Sequence, residues 1–343
     1  MSNVVNYSCN KGPKNRGNAV QLIVRSTSRC NFNCTFCSAS KLKGELLVDD
    51  IIQHIRDYQP IQSLIFEGGD PTCKSPDFYW NVLDRIEKES LNVETYGMTT
   101  NMWDFWKRPD KWVDLFKLPN MHVCTSFQYG NKRLIGKTVY TESMFTEVYD
   151  QFQKLVGKPL PFIAVIDQDN RDSVLKTVQL AKRLDTSCKI NAAFEAGNQD
   201  VGYGLPDILE DYTMIVNQGL EQYENNCMTI VDIIKKRNDS NNCPWMRNCN
   251  SSIRCVSPNN EVSTCSIENS WIDYKAPLNK NGERDVTLMS EGFVVKPQCL
   301  SCHLFDWCNQ CRVAVMQAKH TPNFCERMQQ VMPKLIEAAN KVP

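Results

Sequence analysis

The fold of this 343-residue chain is decided by the stretch Cys30-Asn31-Phe32-Asn33-Cys34-Thr35-Phe36-Cys37. Its three cysteines follow the spacing CxxxCxxC. Three thiolates this close together can hold three corners of an iron–sulfur cube, whereas a closed cluster takes four protein ligands. A metal site that is one protein ligand short keeps a position open for chemistry. The stretch therefore predicts a reactive metal site rather than a closed structural one.

The composition limits the classes of function that need to be considered. Lys and Arg together number 39, as do Asp and Glu, so the formal net charge is zero. The absence of a long basic run argues against a protein that grips a nucleic-acid backbone, although modification of a nucleic-acid base stays open. No apolar stretch approaches the roughly 18 residues that a membrane span needs, so no membrane partner is expected.

The cysteine content indicates the compartment. The chain has 17 cysteines, and its first 18 residues are polar and lack the apolar core of a signal peptide. Without a secretion signal, so many thiols indicate a reducing compartment in which they are kept for metal binding. We therefore expect a cytoplasmic protein in which residues 1–18 form a loose leader into the first strand.

The first two thirds of the chain alternate between strand and helix patterns. Strands are predicted over residues 19–25, 63–66, 92–99, 122–127, 161–166 and 189–194. Helices are predicted between them over residues 48–58, from 76 onward, and over 110–116, 142–156 and 171–184. Right-handed crossovers would curl such a series into a parallel barrel or an open sheet, whose active site lies at the carboxyl ends of the strands.

The cysteine spacing, with the aromatic Phe36 before the last cysteine, resembles the signature of the radical SAM superfamily. The resemblance implies an α/β fold with a partial (β/α)6 barrel. It also implies a [4Fe-4S] cluster on Cys30, Cys34 and Cys37, with S-adenosylmethionine (SAM) bound at the free iron. In that family SAM is cleaved reductively to a 5′-deoxyadenosyl radical, which requires an electron donor such as flavodoxin or ferredoxin.

A second motif follows the second predicted strand and supports the resemblance. Gly68-Gly69-Asp70-Pro71 is similar to the family motif GGEP, which holds the methionine amino group of SAM; here Asp stands in place of Glu. By similarity, further SAM contacts are expected at strand ends, on Thr100, Asn101, Ser126, Gln128 and Asn191, with Phe36 also facing the cofactor. Ordinary turn chemistry is the alternative explanation for each of these polar residues.

Nine cysteines lie from Cys243 onward, and their spacing resembles a SPASM domain. The resemblance implies two auxiliary [4Fe-4S] clusters and thus three clusters in all. The first would use Cys249, Cys255, Cys265 and Cys311, and the second Cys299, Cys302, Cys308 and Cys325. The division between the two stays open, because only two residues separate Cys308 from Cys311 where the family has three. A zinc ribbon is the alternative.

The predicted domains are a leader at residues 1–18, a radical SAM partial barrel at 19–237, and an irregular SPASM domain with a C-terminal helix at 238–343. Within the last domain, Pro258-Asn259-Asn260 predicts the turn of a β-hairpin. Asn260 stands where the family has glycine, and asparagine tolerates the left-handed backbone conformation that such a turn needs.

The resemblance to SPASM proteins favours an enzyme that modifies a peptide or protein by oxidation, crosslinking or epimerisation. Because the first strand starts near residue 19, leader binding would need a separate protein. The alternatives are an oxidoreductase or isomerase acting on a small molecule, nucleoside or nucleic-acid base, and a binding or electron-transfer module without radical chemistry. Candidates for a base or hydrogen donor near the rim are Cys73, Asp70, Glu195 and Tyr129.

Overall fold

The computed structural model describes residues 20–40, 42–193, 203–237, 252–263, 299, 301–308 and 321–343. Its strands are β1 Val20–Thr27, β2 Ile61–Gly68, β3 Val93–Thr99, β4 Met121–Ser126, β5 Leu134–Ile135, β6 Thr138–Val139, β7 Phe162–Ile166, β8 Cys188–Ala192, β9 Ile253–Val256 and β10 Val262–Ser263. Its α-helices are α1 Val48–Tyr58, α2 Pro76–Lys88, α3 Trp103–Lys107, α4 Val113–Lys117, α5 Glu142–Val156, α6 Val174–Arg183, α7 Leu205–Asn217, α8 Asn225–Ile234, α9 Phe305–Cys308 and α10 Phe324–Lys341.

Eight of these strands form one sheet in the order β10-β9-β1-β2-β3-β4-β7-β8. All neighbours in it are parallel except β10, which pairs with β9 antiparallel at one edge. The helices that follow the parallel strands cover one face, and the sheet curls into a half-barrel. This architecture confirms the predicted α/β fold with a partial barrel, and all six predicted strands are present.

The two faces of the sheet differ because successive side chains of a strand point to opposite sides. The face beneath the helices is apolar and carries the buried side chains of Leu22, Val24, Leu64 and Phe66. They share one hydrophobic cluster with Ile51, Ile52 and Ile55 of α1 and with Tyr79, Val82 and Ile86 of α2. The opposite, concave face carries polar side chains near the carboxyl ends of the strands. There Arg25 Nε donates to Glu67 Oε1 at 3.2 Å, and the two residues are direct neighbours in the register of β1 and β2.

Two local elements differ from the sequence prediction. The helix predicted over 110–116 is split into a 3-10 turn at Pro109–Lys111 and the short α4, and the equally short α3 precedes them. The segment between β4 and α5 contains the small hairpin β5–β6, which the sequence analysis missed because its strands have only two residues each. Helix α5 has its predicted bounds and ends at Gly157, whose φ of +71° is the left-handed stop expected for glycine.

The C-terminal part returns to the barrel at two places. The predicted hairpin is confirmed as β9–β10, Asn260 has a φ of +67°, and β9 adds to the sheet beside β1. Helix α10 packs on α7, where Arg327 Nη2 lies 2.9 Å from Asp207 Oδ1. The predicted leader and the predicted boundary near residue 238 lie outside the described residues. None of the described helices combines the length and the apolar character that a membrane span requires.

Candidate active site

The loop that carries Cys30, Cys34 and Cys37 leaves the carboxyl end of β1 and is anchored by its two phenylalanines. Phe32 and Phe36 are both buried, and Phe32 makes an edge contact with Tyr140 at 5.2 Å between ring centroids. Each anchor lies between two cysteines in the sequence, so the two buried rings hold the loop on both sides of Cys34.

The hairpin β5–β6 holds this loop from the other side. The backbone N–H of Asn33 donates to the carbonyl of Leu134 at 2.8 Å, and that of Thr35 to the carbonyl of Lys132 at 3.0 Å. Lys132 Nζ in turn donates to Asp167 Oδ2 at 2.6 Å, which ties the hairpin to the end of β7. The cysteine loop is thus fixed by backbone hydrogen bonds to an insertion of the barrel.

The glycine pair at the end of β2 lets this strand approach the start of the cysteine loop. Gly69 N–H donates to Thr27 O at 2.8 Å, and Asp70 N–H donates to Arg29 O at 2.7 Å. A Cβ atom on Gly68 or Gly69 would overlap the carbonyls of Thr27 and Arg29, respectively, and Gly68 has a φ of +141°. Glycine is required at both positions, because any side chain would push β2 and the cysteine loop apart.

Asp70 is buried and its carboxylate is fully engaged within the protein. Oδ1 accepts the backbone N–H of Thr72 at 2.9 Å and the hydroxyl of Thr100 at 2.9 Å, and Oδ2 accepts the N–H of Asn101 at 2.7 Å. Burial raises the pKa of Asp70, and these hydrogen bonds oppose that shift. The carboxylate therefore ties the ends of β2 and β3 together. Its contact with a SAM amino group stays a prediction.

Asn101 continues this network into the cysteine loop. Its side-chain nitrogen donates to Asn31 Oδ1 at 2.6 Å and lies 3.9 Å from Cys30 Sγ, while its Oδ1 accepts the N–H of Trp103 at 2.9 Å. Burial and the nearby Asp70 raise the pKa of Cys30 to about 12. A bound cation would reverse this preference and keep the thiolate.

Ser126 and Gln128, at the end of β4, converge on an arginine that the sequence analysis did not identify. Arg133 donates to Ser126 Oγ at 2.9 Å and to Gln128 Oε1 at 3.0 Å, and its guanidinium lies over the ring of Phe36 at 5.2 Å. Arg133 is buried, forms no ion pair with any described carboxylate, and its Nε has no partner among those residues. A buried guanidinium that lacks a carboxylate partner favours the binding of an anion beside the cysteine loop.

The structure separates the candidates for a base or hydrogen donor. Cys73 lies beside the cysteine loop and accepts the backbone N–H of Asn31, and burial together with Asp70 raises its pKa to about 11. Tyr129 donates its hydroxyl to Glu142 Oε2 at 2.7 Å, beyond the rim. Glu195 lies outside the described residues. Asn191 is partly exposed in β8, on the face opposite the buried Ile190.

Of the predicted auxiliary-cluster ligands, the structure brings four together. Cys299, Cys302 and Cys325 lie close enough to Cys308 to raise its pKa, with burial, to about 12. Cys325 is in the first turn of α10, and Cys255 is buried in β9. The other three predicted ligands, Cys249, Cys265 and Cys311, lie outside the described residues.

Both sets of thiols, those of the cysteine loop and those near Cys308, fit an iron–sulfur cluster by donor type. Cys34 is near enough to Cys30 and Cys37 to raise the pKa of both thiols. Among the described residues, no three His, Cys, Asp or Glu side chains already converge on a single metal position. The fit therefore rests on three thiols in one anchored loop and on four thiols around α9 and the start of α10, as cluster ligation requires.

Comparisons with solved structures find proteins of the same fold. The structure superimposes on native anSMEcpe with bound AdoMet and Cp18Cys peptide with a TM-score of 0.68 and 17% identity, covering 95% of this chain and 100% of that chain. For Streptococcus suis SuiB bound to S-adenosylmethionine the TM-score is 0.56 at 16% identity, covering 87% of this chain and 72% of that chain. These likenesses concern the fold. No curated protein matches the chain by sequence.

One family model matches the sequence itself. The model described as Radical SAM superfamily matches residues 24–181. That segment begins within β1 and contains the cysteine loop, the glycine pair, the Asp70 network and Arg133. Residues 24–181 are therefore similar in sequence to the radical SAM superfamily.

Proposed function

We propose that this protein is a radical SAM enzyme that cleaves SAM to a 5′-deoxyadenosyl radical and uses it to modify a peptide or protein. The single observation that carries the proposal is the hydrogen-bond network that joins the three-cysteine loop to the ends of β2 and β3 through Asp70 and Asn101. A bound [4Fe-4S] cluster supplies the electron that breaks the sulfonium–carbon bond of SAM.

The residues of the chain would bind and orient SAM. The backbone around Gly68 and Gly69 lies against the start of the cysteine loop, and its carbonyl oxygens would accept hydrogen bonds from the methionine amino group. The unpaired Arg133 would take the methionine carboxylate in a charge-assisted hydrogen bond. Gln128 accepts from Arg133 with its oxygen, and among the described residues its amide nitrogen has no acceptor, so it can donate to a ribose hydroxyl.

Several observations support a peptide substrate and auxiliary clusters. The protein shares its fold, over nearly its full length, with an AdoMet-binding protein that was solved with a peptide. The four neighbouring thiols Cys299, Cys302, Cys308 and Cys325 supply the ligands that one closed [4Fe-4S] cluster needs. A second auxiliary cluster would draw on Cys255, which β9 places in the sheet beside β1.

The test is anaerobic reconstitution with iron and sulfide, followed by reduction with dithionite in the presence of SAM and candidate peptides. We expect 5′-deoxyadenosine by chromatography and a changed peptide mass. A peptide that loses two hydrogens would indicate oxidation. A peptide that keeps its mass in ordinary water but takes up deuterium in heavy water would indicate epimerisation.

A matched pair of cysteine variants makes this test specific. Cys34→Ala should abolish 5′-deoxyadenosine formation and leave the far-UV circular dichroism unchanged. Cys188→Ala, which removes a buried thiol at the start of β8, should retain formation. Undiminished SAM cleavage by Cys34→Ala would overturn the assignment of the site, as would iron-free protein that binds only zinc.

A further inference from the structure

We propose that the surface around α3 is the docking site of an acidic electron-donor protein. The inference rests on the proposed function, because each SAM cleavage consumes one electron. The donor is oxidised by one electron, and the sulfonium–carbon bond takes up that electron and breaks into methionine and a 5′-deoxyadenosyl radical. The electron has to enter through the protein surface nearest to the cysteine loop.

The cysteine loop reaches the surface beside α3. Cys30 as a whole residue keeps solvent-exposed surface although its thiol is enclosed, and Asn101, two residues before α3, lies against both Cys30 and Asn31. The 3-10 turn Pro71–Cys73 contacts α3, and the neighbouring Asp70 N–H donates to Arg29 O at 2.7 Å, so α3 and the start of the cysteine loop lie on either side of this turn. The path from the surface to the cluster ligands is therefore short at this place.

Aromatic side chains lead from the loop to this surface. Phe32, between Cys30 and Cys34, meets the edge of Trp103 at 6.0 Å between ring centroids. Trp103 packs on Trp106 at 4.8 Å, and both indoles remain partly exposed to solvent. Tryptophan is over-represented among the residues that dominate protein–protein binding energies, because a large rigid ring buries much area at a small entropy cost.

The charge of this surface favours an acidic partner. We define the α3 face by five cationic and three acidic residues: Arg29, Lys74, Lys107, Arg108 and Lys111 with Glu45, Asp104 and Asp110. Its net charge is positive, although the whole chain is neutral. Glu45 forms ion pairs with Arg29 and Lys74, and Asp104 forms one with Arg108. Lys107, Lys111 and Asp110 form no ion pair within the described residues and are exposed, so two cations and one acid remain unpaired on this face.

Two unpaired lysines beside two partly exposed indoles suit a brief encounter rather than a permanent complex. Complementary charge mainly raises the association rate, and the small interfaces of redox partners depend on it. Lys107 lies over the ring of Trp103 at 4.8 Å, so the charge and the aromatic contact belong to one surface.

The experiment reverses these two charges in the reconstituted enzyme. The variant Lys107→Glu/Lys111→Glu is compared with Lys154→Glu/Lys334→Glu, which makes the same charge change at exposed positions near the C-terminus of α5 and on α10. Formation of 5′-deoxyadenosine is measured with reduced flavodoxin and, separately, with dithionite. We expect the flavodoxin-supported rate of the α3-face variant to fall about tenfold at low salt. Its dithionite-supported rate should equal that of the wild type, and the control variant should be unchanged in both assays.

Several outcomes would overturn the inference without touching the proposed function. One is an unchanged flavodoxin-supported rate, and another is an equal fall of both rates in the α3-face variant. A third is normal SAM cleavage with loss of peptide modification, which would assign the surface to an acidic substrate instead. Failure of the proposed function has a different signature, because the wild type would then form no 5′-deoxyadenosine even with dithionite.

Discussion

Replacement of Asp70 by asparagine measures how far one buried carboxylate supports the site. Asp70 accepts the backbone N–H groups of Thr72 and Asn101 on different oxygens, at 2.9 and 2.7 Å. Asparagine has one acceptor oxygen, so in either orientation of the amide one of these donors faces an NH2 group. A buried donor left without an acceptor costs about 1–3 kcal/mol.

Burial of a charged carboxylate is unfavourable, as the raised pKa of Asp70 shows. The neutral asparagine avoids this penalty, and the gain offsets part of the cost of the lost hydrogen bond. We therefore expect Asp70→Asn to lower the free energy of unfolding by about 2 kcal/mol. The effect on SAM cleavage should be larger than this loss suggests, because Asn101 holds Asn31 and lies against Cys30. A displacement of about 1 Å there would lower the rate by about 100-fold.

Two measurements on the same variant separate stability from positioning. Urea unfolding of the reduced, metal-free protein gives the free energy, and 5′-deoxyadenosine formation at saturating SAM with dithionite gives the rate. Thr72→Val is the control, because it removes one hydroxyl donor to Asp70 and keeps the carboxylate and both backbone donors. It should cost about 1 kcal/mol and cleave SAM nearly normally. If Asp70→Asn matched the wild type in both measurements, the network would have no role in the site.

Two further predictions concern buried charges. Arg133→Met should raise the dissociation constant of SAM by about ten- to a hundredfold in equilibrium binding to the reconstituted enzyme, since one charge-assisted contact is lost; an unchanged constant would reassign Arg133. Glu224 is fully buried, accepts the backbone N–H of Ile190 at 2.7 Å, and has its pKa raised by burial to about 7. The buried charge therefore lowers the wild type's free energy of unfolding progressively as the pH rises from about 4.5 to about 7. Glu224→Gln carries no titrating group there, so in urea unfolding its free energy of unfolding should rise by about 3 kcal/mol relative to that of the wild type between pH 4.5 and pH 8. A constant difference across that range would contradict the assignment.

The strands and the main helices were predictable because they follow simple periodicities. The apolar residues of β1 and β2, such as Leu22 and Leu64, are buried under helices that were predicted from their own 3.6-residue pattern. Helix α5 was predicted to the residue, since Thr141 caps its start and Gly157 ends it in the left-handed conformation. Local chemistry alone fixes such boundaries.

The splitting of the 110–116 helix was not predictable in the same way. Trp112, fully buried, donates its indole N–H to Asp104 Oδ2 at 2.8 Å and packs on Phe116. This tertiary anchoring breaks the segment into short turns that place Trp112 in the core. A pattern based on neighbours in the sequence contains no information on a contact eight residues upstream.

The candidate site shows the same division between local and long-range information. The cysteine spacing and the glycine pair could be identified because each acts through neighbouring residues of one segment. Arg133 could not, because its position follows from the hairpin β5–β6, which pairs with the cysteine loop about 100 residues earlier in the chain. A lone arginine in a polar loop is normally solvated. The backbone of Asn33 pairs with Leu134, and the preceding residue, Arg133, lies over Phe36. The same hairpin that fixes the cysteine loop therefore also brings the unpaired cation to it.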